Sequence, residues 1–127
     1  MEGLQIGSIV TGIYKTGKYI GEITDVRPQH YLVRVLAVLK HPMQGDLHSP
    51  KDVDVLIFHE RRALAFREQT NIPKQMVKPF EGEVPNYLDS LKEAVNKAKL
   101  ELEGNFSEWS EKSLQMFRSL EKDYFKA

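Results

Sequence analysis

Cysteine is missing altogether from the 127 residues. Its absence excludes disulfides, thiolate metal sites and a cysteine nucleophile, and it fits a reducing compartment. Long apolar runs are missing too, since no stretch approaches the ~18–20 residues needed to span a bilayer. The start, MEGLQIGSIV, has neither a basic n-region nor an extended apolar h-region, so no secretory signal is expected. Net charge is lacking as well: eighteen basic residues are matched by eighteen acidic ones. A dedicated polyanion binder would show an excess of one sign, so no nucleic-acid partner is expected. Together these absences predict a cytoplasmic protein with no lipidatable cysteine and no transmembrane segment.

What is present points to an ordinary folded chain. A hydrophobic fraction of 41% beside 28% charged residues argues against wholesale disorder. The charge is uneven along the chain. Residues 1–80 carry eleven basic and eight acidic groups, and residues 81–127 carry seven and ten. Residues 9–15 alternate in the manner of a strand, and Thr16-Gly17 can supply a tight turn. Residues 18–26 resume the alternation, with Gly12 and Gly21 marking bulges or bends. YLVRVLAVL, residues 31–39, has one charge in nine and reads as a strand covered on much of both faces. Residues 53–58 predict a fourth strand. Residues 63–66 are divided between helix and strand on propensity, and their shortness before Asn71-Ile72-Pro73 favours strand. Residues 74–77 read as a single turn and residues 78–80 as a short edge.

All six prolines lie at or before Pro85, and from there the pattern turns helical. Val84, Tyr87, Leu88, Leu91, Ala94, Val95, Ala98 and Leu102 recur at steps of three and four, one face of a helix opened by Pro85. Gly104 is suited to end it, and Asn105 with Glu108 resembles a capping box. A second helix then carries Phe106, Trp109, Ser113, Met116, Phe117, Leu120 and Tyr124 on one stripe. So short a connector predicts an antiparallel hairpin.

Chemistry, if any, should concentrate in residues 40–66, KHPMQGDLHSPKDVDVLIFHERRALAF. His41, Asp46, His48 and His59 form the tempting metal constellation. Their spacing matches neither a helical HExxH nor a two-Cys, two-His pattern, so no metal and no cofactor is expected. Gly12, Gly17 and Gly21 precede no helix and make no phosphate loop. Lys15, Lys18, Tyr14, Tyr19, Arg61 and Arg62 could form a basic surface with interleaved aromatics, which keeps a nucleic-acid-binding barrel as an alternative. A histidine metalloenzyme is the remoter one.

The strings VTGIYKTGKYIGEI at residues 10–23, the stretch at residues 40–66, and REQTNIP at residues 67–73 closely resemble the sporulation kinase-associated protein B family of spore-forming bacilli. The resemblance spans about residues 6–80 and is looser beyond residue 84. It implies an α+β chain: a small SH3-like β-barrel at residues 1–83, then a two-helix hairpin at residues 84–127. It also implies a non-enzymatic positive regulator of a membrane sensor histidine kinase feeding the sporulation phosphorelay, peripheral at the inner face of the membrane through that kinase. Members are sometimes described as lipoproteins, from which this cysteine-free chain departs. The expected partner surface is Lys40, His41, Met43, Gln44, Asp46, His59, Glu60, Arg61 and Arg62. Trp109, Met116, Phe117 and Tyr124 are either core or a docking or homo-oligomer face.

Overall fold

The computed structural model describes residues 3–45, 60–104 and 107–126. The predicted strand at residues 53–58, together with Asp46, His48, His59, Asn105 and Phe106, lies outside them. Five antiparallel strands are followed by two helices, an α+β architecture as read from the sequence. Strand β1 (Ile9–Tyr14) pairs with β2 (Gly17–Val26), β2 with β3 (His30–Lys40), and β3 with β4 (Gln69–Pro73). After a 3₁₀ turn at Lys74–Met76, β5 (Val77–Pro79) pairs back onto β1, giving the order β4-β3-β2-β1-β5.

The barrel expectation is met only in part. Register shifts in the β2–β3 ladder, one of them at Ile20/Gly21, bend the sheet. They curl it until Ile72 of β4 reaches across to Gly12 of β1, where an added Cβ would lie 2.7 Å from Ile72 Cδ1. Yet no ladder joins β4 to β5 among the described residues, so the sheet stays open. Gly21 is needed for close approach, because a Cβ there would sit 2.6 Å from the Arg34 carbonyl oxygen.

Three local expectations need correction. The β1–β2 loop is Lys15-Thr16, with Lys15 taking the positive φ of 54°. Gly17 is already in the strand, and it makes room for the Tyr19 phenol. Residues 63–66 form no strand: the amides of Ala63, Leu64 and Ala65 and the Leu64 carbonyl are taken by side chains. The ladder instead resumes at β4, QTNIP, to which the sequence reading assigned no strand. Third, the second helix is capped by Ser107, whose side chain accepts from the Ser110 amide, and not by the predicted Asn105.

The helices are α1 (Tyr87–Glu103) and α2 (Glu108–Tyr124). Asn86, one residue beyond Pro85, caps α1 by accepting from the Asp89 amide, and Gly104 ends it with a right-handed φ of −81°. Lys99 pairs with Glu121 at 2.9 Å and Lys92 lies over the Phe125 ring, so the later part of α2 runs back along α1. Two apolar clusters result. One is made by strands alone: Val10, Ile23, Tyr31, Val33, Ile72 and Val77. The other joins Tyr19, Val35 and Val38 to Leu91, Val95, Trp109, Phe117 and Leu120 of the helices. Ser90 of α1 links the layers by accepting from the Val38 amide at 3.0 Å.

Candidate functional site

The predicted surface at the end of β3 is in large part an interior joint. Residues 61–65 belong to no ladder, and a backbone without a ladder must find partners elsewhere when buried. Here side chains supply them. The Gln44 amide accepts from the Arg61 N–H at 2.8 Å and donates to the Arg61 carbonyl at 2.9 Å, as a neighbouring strand would. Its orientation is fixed by that pair of bonds. The Tyr124 hydroxyl accepts from the Ala63 N–H at 2.8 Å. Tyr19 accepts from the Leu64 N–H at 3.2 Å, and the Tyr87 hydroxyl donates to the Leu64 carbonyl at 2.6 Å.

His41 locks this joint to α2. Its Nδ1 lies 2.9 Å from the Pro42 carbonyl and its Nε2 2.9 Å from the Tyr124 hydroxyl. A carbonyl only accepts, so Nδ1 carries the proton, Nε2 accepts, and Tyr124 donates. Tyr124 therefore donates a hydrogen bond to His41 while accepting one from the Ala63 N–H. Burial pushes the imidazole down to about 4, against a weaker upward pull from the Pro42 carbonyl, with the Arg62 charge adding to the fall. The ring stays neutral and, with both nitrogens engaged, has no lone pair or proton to spare. Burial likewise raises Tyr19 to about 12 and pushes Tyr87 and Tyr124 upward, keeping all three hydroxyls protonated.

The two arginines divide their roles. Arg61 is half-buried and donates through Nε to the Gly45 carbonyl at 2.9 Å. Arg62 is exposed, lies over the Tyr124 ring with its guanidinium carbon 4.9 Å from the centroid, and pairs with Asp123. That contact holds the Asp123 carboxyl below the usual range. An open groove beside them is lined by Tyr14, Lys15, Glu60, Arg61, Arg62 and Glu68, a surface of mixed sign.

Of the predicted partner residues, Lys40, Glu60 and Arg62 are exposed and Met43 and Arg61 half-buried. His41 and Gln44 are 3% and 2% exposed, buried as struts of the joint. Asp46 and His59 lie outside the described residues. On α2, Trp109 and Phe117 are buried in the core shared with the sheet, while Met116 and Tyr124 are half-buried. Trp109 also donates through its indole to the Gln44 carbonyl at 3.4 Å. The sequence reading missed the clamping roles of Tyr19 and Tyr87, which no local spacing marks.

Comparison with known proteins gives one consistent result. The family model described as "Kinase associated protein B" matches residues 14–125. The chain is 60% identical over 125 residues to Kinase-associated lipoprotein B of Bacillus subtilis (strain 168), covering 98% of each chain. The crystal structure of kinase-associated protein B from Bacillus cereus superposes with a TM-score of 0.82 at 52% identity, covering 96% of this chain and 98% of that one. The first of these relatives is named a lipoprotein, which overturns the expectation of a cytoplasmic location. That expectation leaned on the missing cysteine, and the lack of one acylation residue does not place a protein in a compartment. Among the described residues no helix is long and apolar enough to cross a membrane. The match over nearly the whole length, in sequence and in fold, establishes that this chain belongs to the kinase-associated protein B family.

Proposed function

We propose that the chain is a non-catalytic regulator that binds a sensor histidine kinase and raises flow into the sporulation phosphorelay. The observation that carries this reading is the use made of the reactive side chains at the joint. His41, Gln44, Tyr19, Tyr87 and Tyr124 each spend their polar atoms on the protein's own backbone or on one another. A histidine held neutral with both nitrogens bonded is a poor general base or nucleophile. What such a joint does well is hold a surface rigid, and Lys15, Glu60 and Arg62 are presented on it. Pre-organisation of that kind favours protein recognition, because less side-chain entropy is lost on docking. The mixed charge also favours a protein partner over a polyanion, which would select a denser basic stripe. The family name supplies the kinase, and the resemblance to the sporulation family supplies its type.

A pull-down with the tagged full-length chain from sporulating cells tests the reading. A histidine kinase should be enriched, with recovery unchanged by nuclease and reduced by Arg62→Ala. Recovery of material that nuclease removes, with no kinase, would overturn it.

A further inference from the structure

A cavity of ≈ 230 Å³ lies between the end of β3 and the helix hairpin. Its walls include Met43, Ala98, Leu102, Trp109, Ser113 and Phe117. Ser113 is 0% exposed, and among the described residues its Oγ is the buried side-chain oxygen or nitrogen that lacks a hydrogen-bond partner. The other buried polar groups of the lining are engaged. His41 bonds Pro42 and Tyr124, the Gln44 amide bonds Pro42 and Arg61, and the Trp109 indole bonds Gln44. Lys40 and Glu101 stand at the same cavity with opposite charges.

The geometry points to a binding site for a neutral, single-ring aromatic molecule bearing one hydroxyl or similar group, bonded by Ser113. Size sets the ring count. A cavity of about 150 Å³ holds benzene, and drug-sized ligands fill roughly 300 Å³ or more, so this space suits one ring and a short substituent. Chemistry sets the substituent, since a buried hydroxyl without a partner selects a ligand that completes its hydrogen bond. Lys40 and Glu101 bring opposite charges to the lining, so neither an anion nor a cation gains a net attraction, while burying its charge carries a desolvation cost.

The test uses the full chain and its single tryptophan, Trp109, which lines the cavity and reports on it directly. Benzyl alcohol, toluene, benzoate and benzylamine are titrated while Trp109 emission is read. Benzyl alcohol should give a saturable change, with benzoate and benzylamine at least roughly tenfold weaker. Ser113→Ala should lower the affinity for benzyl alcohol relative to toluene by roughly five- to tenfold. The absence of a saturable response to benzyl alcohol overturns the site, as does equal binding of the charged rings. An unchanged alcohol-to-toluene ratio in the variant overturns the role of Ser113. The first two outcomes need only the unaltered protein, so a variant that fails to fold leaves the test standing.

Discussion

The two apolar clusters are built by different means, although one strand runs through both. Tyr31 and Val33 of β3 belong to the cluster made of strands alone, while Val35 and Val38 farther along belong to the cluster shared with the helices. The first is held by neighbouring ladders and by Ile72 pressing on Gly12. The second has no ladder at one wall and depends on side chains from distant positions, with Tyr124 reaching back 83 residues to His41. A ladder distributes stability over many equivalent bonds. A clamp of few bonds concentrates it, and each member then matters more.

The most severe way to break this comparison is to remove the helices. A chain ending at Glu83 loses Leu91, Val95, Trp109, Phe117 and Leu120 and leaves Tyr19, Val35 and Val38 uncovered. We propose that residues 1–83 and 84–127 form one folding unit, so this fragment should show no cooperative thermal transition by circular dichroism. Adding residues 84–127 in trans should restore one. A sharp β-type melt of the fragment alone would show instead that the strand-only cluster suffices.

Next in size is Leu120→Ala, which empties a fully buried position at the centre of the shared cluster. It should cost about 2–5 kcal/mol in denaturant titration. Ile72→Ala in the other cluster falls in the same range, but there Gly12→Ala should partly refill the space above β1 and recover stability. Lack of recovery would mean that Gly12 is not kept small by Ile72.

The clamp should also give the shared cluster its own pH limits. His41 binds its proton near 4 when folded and near 6.5 when unfolded, so between these values the unfolded chain holds more protons. Stability from this group is therefore full above about 6.5 and is lost as pH falls towards about 4, a change on the order of 3 kcal/mol. Tyr19 works in the opposite sense: its raised pKa keeps its contribution intact below about 10 and loses it as pH rises through about 12. Nuclear magnetic resonance titration of the His41 ring checks the acid side directly, and a midpoint near 6.5 would contradict the buried lock. Tyr124→Phe, which deprives both His41 and Ala63 of a partner, should raise that midpoint.

The smallest expected effect is at Arg62. Its pair with Asp123 is exposed and screened by solvent, so Arg62→Ala should move the melting temperature by no more than about a degree or two. A larger fall would assign Arg62 to the clamp rather than to the surface.

What could be read in the sequence follows the same division. Alternation in residues 9–26 and 31–39 located β1 to β3, and the three-and-four spacing of Leu91, Ala94, Val95 and Leu102 located α1, because those signals are local. Trp109, Phe117 and Leu120 were legible as a stripe, and the structure buries that stripe in the core. The segment at residues 61–65 was not legible. The ambiguity on propensity at residues 63–66, which overlap it, went with a backbone that takes neither helix nor ladder bonds, satisfied chiefly by tyrosines and a glutamine from 17 to 61 positions away. Nor could spacing reveal that His41 and Gln44 point inward, since both stand next to exposed or half-exposed neighbours, Lys40 and Met43.

The Gln44–Arg61 pairing also bears on which substitutions the joint tolerates. Two bonds through the Gln44 amide and a third from Arg61 to Gly45 bring positions 44–45 and 61 to a common point. One amide is thus both donor and acceptor to a segment 17 positions away. Glutamate, with acceptors alone, and leucine, with neither group, cannot fill that double role. Asparagine keeps the chemistry but is one methylene shorter, so the residue is fixed by reach as well as by polarity.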